Sequence, residues 1–97
     1  MKKVEDLKRI LKEHKNKLKE EYGISEIGLF GSCVAGEQKD TSDIDVLIEF
    51  QKATDLISFV HLKNYLSDLL DANVDLVMKR ALKPEIGKRV LREVVYI

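Results

Sequence analysis

Cysteine occurs once in this sequence, at Cys33. That excludes a disulfide within the chain and a zinc site built on several thiolates. Net charge is also lacking, since Lys+Arg and Asp+Glu each number 17. A protein that holds long nucleic acids or membrane surfaces by charge alone needs a basic excess, so those classes are excluded and no membrane partner is expected. No apolar run approaches the roughly 18 residues of a membrane helix. The opening Met1-Lys-Lys-Val-Glu-Asp6 runs straight into charge, without the apolar stretch of a secretory signal. Repeats, linkers and low-complexity tracts are missing as well. The expectation is a cytoplasmic protein with one domain spanning residues 1–97.

What is present suits a packed globular chain: 44% hydrophobic and 35% charged residues over 97 positions. The balanced charge is unevenly spread. Residues 37–75 hold nine acidic and three basic side chains, whereas residues 79–97 hold six basic and two acidic ones. Acid is concentrated mid-chain, and any account of function has to explain it.

Hydrophobic periodicity gives the elements. Val4, Leu7, Ile10, Leu11, Leu18 and Tyr22 recur near helical spacing and Gly23 follows, which predicts one amphipathic helix over about 4–22. Ile27-Gly-Leu-Phe30 reads as a short buried strand, ended by Gly31-Ser32 and a small, polar, turn-rich segment to Ser42. Asp43-Ile-Asp-Val-Leu-Ile-Glu-Phe50 carries the strongest strand signal. Thr54 or Asp55 could cap a second helix, whose apolar stripe would be Leu56, Phe59, Val60, Leu66, Leu69 and Leu70. Asn73-Val-Asp-Leu-Val77 reads as a third strand, and Pro84 opens a last helix carrying Ile86, Val90, Leu91 and Val94. The order helix–strand–strand–helix–strand–helix points to an α/β or α+β protein with a small mixed sheet flanked by helices.

The acidic segment contains the chemistry. Asp43 and Asp45 are two apart in a predicted strand, so both side chains leave the same face, with Cα atoms roughly 6–7 Å apart. Two such carboxylates can share a small hard cation such as Mg²⁺, which completes its shell with water and substrate phosphate. Asp75, flanked by apolar residues in the next strand, completes a three-carboxylate cluster if the two strands are neighbours. An Asp-x-Asp pair alone more often solvates a sheet edge, but charged residues embedded in apolar strands are rarely left unpaired. Gly31-Ser32 has the makings of the other half of a phosphate site. A strand that ends in glycine and turns sharply exposes backbone N–H groups to an anion, and Ser32 adds a hydroxyl.

Ten residues separate Ser32 from Asp43, giving Gly-Ser-(ten residues)-Asp-x-Asp over residues 31–45, followed by the strand aspartate Asp75. This pattern resembles the nucleotidyltransferase superfamily of the DNA polymerase β type. Gly31-Ser-Cys-Val-Ala-Gly-Glu37, Ser42-Asp-Ile-Asp-Val-Leu-Ile-Glu-Phe50, Val74-Asp-Leu-Val77, Ala81-Leu-Lys-Pro-Glu-Ile86 and Glu93-Val-Val-Tyr-Ile97 are similar to its small stand-alone prokaryotic members, the minimal nucleotidyltransferases, including the MntA-type antitoxins. The resemblance covers nearly the whole chain.

It implies a polymerase β-like fold and transfer of a nucleoside monophosphate, AMP from ATP, to a hydroxyl. Asp43 and Asp45 would bind Mg²⁺ and triphosphate, Asp75 would be the third carboxylate, and Gly31 and Ser32 would hold phosphates. The implied acceptor is a tyrosine on a partner toxin of HEPN fold, an RNase silenced by adenylylation, so an assembly with that partner or with itself is expected. Val34 and Ala35 stand where the family pattern commonly has Ala and Arg, which removes a positive group near the phosphate loop; Lys39 is a candidate replacement. That departure motivates an alternative, an antitoxin acting mainly by covering its partner. A small-molecule nucleotidyltransferase is a further alternative, disfavoured because no second domain remains for such an acceptor. Cys33 reads as a loop-filling residue, and His14, His61, Glu37, Glu49 and most of the C-terminal cations read as surface groups.

Overall fold

A computed structural model describes residues 3–37 and 43–97 of the chain. Its centre is a four-stranded sheet ordered β3-β2-β1-β4, with β1 Ile24–Phe30, β2 Ile44–Phe50, β3 Val74–Met78 and β4 Val95–Tyr96. β1 pairs antiparallel with β2 and with β4, while β3 runs parallel to β2. Five helices accompany it: α1 Val4–Glu13, α2 Lys15–Tyr22, α3 Ser32–Ala35, α4 Leu56–Leu70 and α5 Pro84–Glu93. The expected mixed sheet flanked by helices is present. The segment around Lys39 lies outside the described residues.

Alternation along β2 divides the sheet into two unlike faces. Ile44, Val46, Ile48 and Phe50 point into the main core with Ile27 and Leu29 of β1, Leu7 and Leu11 of α1, Leu18 of α2 and Leu62, Leu66 and Leu70 of α4. Asp45, Leu47 and Glu49 point the other way. On that second face Gly28 of β1 pairs with Leu47 and lies so near Val94 and Val95 that a β-carbon there would meet Val94 Cγ2 at 2.6 Å. The chain after α5 thus approaches the sheet because Gly28 has no side chain.

The helix expected over 4–22 is two helices. His14 Nδ1 lies 2.9 Å from the Ile10 carbonyl oxygen, the acceptor a continuing helix would give to the His14 N–H. That N–H turns instead to Leu11 O at 3.2 Å, and the axis breaks at His14. The stripe expected on α4 is also shifted. Its buried residues are Leu62, Leu66 and Leu70, whereas Leu56 is 76% and Val60 43% exposed. At about 100° per residue Val60 sits roughly 200° around the helix from Leu62, so both cannot face the sheet. On α5, Gly87 and Val90 are buried while Ile86 and Leu91 stay exposed. The two-residue β4 was not expected from sequence.

Of the two candidate caps, Asp55 serves: its Oδ1 accepts from the Ser58 N–H at 2.7 Å, and its carboxyl is held below the usual carboxylate range by that bond and the Ser58 hydroxyl. Asp55→Ala should therefore cost about 1 kcal/mol of stability. Urea unfolding checks this, and a change below about 0.3 kcal/mol would count against the cap.

Candidate active site

Three strand ends meet at one edge of the fold. The C-terminal end of β1 delivers Phe30 opposite Asp45, and the chain turns at Gly31 into α3. The parallel pairing of β2 and β3 sets Asp45 directly beside Asp75. In-register neighbours project from the same face, so the two carboxylates confront each other there. Asp43 immediately precedes β2, and its Oδ1 accepts a 2.9 Å hydrogen bond from Asn73 Nδ2.

Gly31 has φ +75° and ψ −149°, a backbone region essentially restricted to glycine. A β-carbon at this position would collide with Asp45 Oδ2. The loop glycine and the central aspartate are thus in contact, joining two motifs that lie fourteen positions apart in sequence. The α3 helix beyond is capped at its start by the Gly31 carbonyl, which accepts from Val34 and Ala35 N–H. The first N–H groups of any helix have no intrahelical acceptor.

The electrostatics follow from the placement. Asp45 is pushed up to about 6, first by burial, then by the charges of Asp75 and Asp43, and by a hydrogen bond with Asp75 that favours the protonated form. Cys33, buried beside it, is also pushed up by burial and by the Asp45 charge, and its Sγ donates to Phe30 O at 3.3 Å. A thiol held protonated is a loop-filling group, not a nucleophile.

The raised Asp45 has a measurable consequence for the metal-free protein. Its folded-state value lies above the ordinary 3.8, so the folded state holds the proton more tightly than the unfolded chain. This group's contribution to stability is complete below about pH 4 and declines as pH rises through about 6. Asp45→Asn mimics the protonated form. In EDTA it should melt at the same temperature as wild type near pH 4 and higher above pH 7. An equal difference at both pH values would contradict the assignment.

The residue types suit a hard divalent cation. All three candidate groups are carboxylates, and Asp43 and Asp45 repel in the absence of a cation. Among the described residues, however, no group of three His, Cys, Asp or Glu side chains is gathered into a complete metal site. A cation here would draw on water and substrate oxygens for the rest of its shell, as Mg²⁺ commonly does.

Three of the six C-terminal cations pair away from the acidic site. Lys79 pairs with Glu26 at 2.8 Å, Arg80 with Glu49 at 2.7 Å and Arg89 with Glu93 at 3.4 Å. Lys79 and Arg80 follow the far end of β3 from Asp75, so they do not offset the acidic site. Glu49 is a partner for Arg80, and Glu37 is exposed. Asn73, expected as the first residue of a strand, precedes β3, and its side chain donates to Asp43.

The nucleotidyltransferase domain profile matches residues 11–97. The chain belongs to this family. It is similar to the protein adenylyltransferase MntA of Thermococcus cleftensis, with 50% identity over 94 residues, 97% of this chain and 95% of that protein. Its fold matches a solved structure described as a minimal nucleotidyltransferase at TM-score 0.81 and 34% identity, covering 97% of this chain and 95% of the other. A toxin–antitoxin crystal structure with AMP-PNP matches at TM-score 0.71 and 29% identity, over 87% of this chain and 69% of that one. The likeness inferred from Gly31-Ser32 and Asp43-x-Asp45 is thus a family relationship extending through nearly the whole nucleotidyltransferase fold. Among the described residues no helix is long and apolar enough to cross a membrane.

Proposed function

We propose that this nucleotidyltransferase transfers AMP from ATP to a hydroxyl of a partner protein, a tyrosine of an HEPN-type RNase toxin, and acts in the cytoplasm as that toxin's antitoxin. The observation that carries the reading is the convergence of Gly31, Asp45 and Asp75 at one sheet edge, where a phosphate-turn glycine touches the central carboxylate. The relationship to an adenylyltransferase and to a toxin–antitoxin complex with an ATP analogue supports both substrate and partner.

Asp43 and Asp45 would hold Mg²⁺, and Gly31 and Ser32 would lie against the triphosphate. The cation's chemistry is to neutralise phosphate charge and steady the attacking and leaving oxygens. In the transfer, the acceptor oxygen forms a bond to the α-phosphorus. The bond from that phosphorus to the bridging oxygen breaks, and pyrophosphate leaves with the electron pair. The proton of the acceptor hydroxyl passes to a carboxylate, for which Asp75 is best suited because it is exposed beside Asp45.

Ala35 favours a second reading in which the protein neutralises its partner mainly by covering it. The side chain is exposed at the end of α3, so no guanidinium extends from this position over the loop. Incubation with labelled ATP, Mg²⁺ and the product of the adjacent gene tests the first reading. Label should appear on the partner and disappear when its acceptor tyrosine is changed to phenylalanine. Unlabelled but neutralised partner would select the second reading.

A further inference from the structure

Asp43 stands at the start of β2, with no strand pairing of its own to fix it. A carboxylate in that position samples many orientations unless something holds it. Asn73, at the end of the turn between α4 and β3, meets this stretch of chain twice. Its backbone carbonyl accepts the Ile44 N–H at 2.9 Å, and its side-chain amide donates to Asp43 Oδ1 at 2.9 Å. The two bonds fix the backbone just after Asp43 and one oxygen of its carboxylate, leaving the other oxygen to a ligand.

The turn that presents Asn73 is itself built to be rigid. Asp71 adopts a left-handed conformation with φ 51° to end α4, and the Ala72 N–H returns to Ser67 O at 3.1 Å. Ser67 Oγ donates to Lys63 O at 2.8 Å and accepts from the Val74 N–H at 3.2 Å, binding the first residue of β3 to the last turns of α4. Asn73 is held between the Ser67-bonded Val74 and the capped helix end. It is a fixed donor on a fixed turn.

We infer that Asn73 is a positioning residue for the nucleotidyltransferase site, orienting the Asp43 carboxylate for a divalent cation through its side-chain amide. The inference rests on the reading of Asp43 as a metal ligand and deepens it. An amide suits the task because it donates without adding charge: an ammonium would compete with the cation, and a carboxylate would repel Asp43. Hydrogen bonds that orient a metal-binding side chain typically account for about 10–100-fold in metal affinity.

Manganese binding to the nucleotide-free protein, followed by the EPR signal of free Mn²⁺ well below the melting temperature, tests this without any turnover. Asn73→Ala and Asn73→Leu, the second retaining most of the volume, should each weaken Mn²⁺ binding about 10-fold or more. Ser67→Ala loosens the same turn but leaves the amide in place, and should weaken Mn²⁺ binding clearly less than either Asn73 variant. Two results would overturn the role of the amide: wild-type affinity in both Asn73 variants, or an equal loss in Ser67→Ala, which would assign the effect to the turn as a whole. Absence of Mn²⁺ binding by wild type would instead remove the metal site itself, and the inference with it. An Asp43→Ala variant that binds Mn²⁺ as wild type does would equally overturn it.

Discussion

Asp43→Ala/Asp45→Ala should abolish transfer of AMP to the partner, by about 10³-fold or more, while the protein remains folded. The magnitude follows from the chemistry. A cation that offsets phosphate charge supplies several kcal/mol to the transition state, and each 1.36 kcal/mol is about tenfold in rate. Retained folding follows from the electrostatics. Asp45 is disfavoured as an anion by burial and by its two acidic neighbours, so replacing it relieves repulsion. A metal-free melt at pH 7.5 should show the double variant at least as stable as wild type, and partner labelling should be at background. Transfer above about a tenth of the wild-type rate would refute the assignment. Protection of cells from the toxin by this same variant would show that covering the partner suffices.

Gly31→Ala carries the second large effect, and it combines two penalties. A side chain at φ +75° and ψ −149° is strained whatever surrounds it, at about 1–3 kcal/mol. The new β-carbon would also fall on Asp45 Oδ2, so the carboxylate must rotate away or the loop must move. Since misplacement by about 1 Å can cost about 100-fold, transfer should fall by at least that factor. Gly36→Ala is the control, because Gly36 also has positive φ, at 76°, but a β-carbon there meets nothing within 4 Å. It should share the backbone strain without the loss of transfer. Equal losses in both variants would mean that α3 stability, not contact with Asp45, governs the site.

The relation between the two motifs shows how far a sequence can be read. Gly31-Ser32 and Asp43-x-Asp45 are legible because each has a local cause: a turn that needs glycine, and two carboxylates two positions apart where a strand begins. Asp75 could be proposed but not placed, since a strand's neighbours are set by loops and packing at long range. The parallel register that sets Asp75 opposite Asp45 comes from the crossover through α4, which is anchored by Leu62, Leu66 and Leu70. Asn73 offered no signal at all, because a donor that orients a carboxylate thirty residues away has no periodicity to reveal it.

The same division explains the misreadings. Apolar residues at helical spacing continue past His14, but the helix ends there, with the His14 N–H on Leu11 O and its ring nitrogen beside Ile10 O. Leu56 and Val60 are apolar and helical, yet the buried edge of α4 runs along a different line. The basic stretch after residue 78 does lie at the surface as expected, where Lys79 and Arg80 meet Glu26 and Glu49, distant in sequence and adjacent across the sheet.

The scarcity of cysteine and the balanced charge were settled by composition, and the lack of long apolar runs, most of the element types and the family likeness by the order of the residues. These depend on residue identity and short-range spacing. Tertiary structure decided that the glycine turn touches Asp45, that burial with Asp75 and Asp43 beside it pushes Asp45 up to about 6, and that Asn73 holds Asp43. Those depend on which strands pair and in what register, and it is the burial of the whole apolar face of the sheet that fixes both.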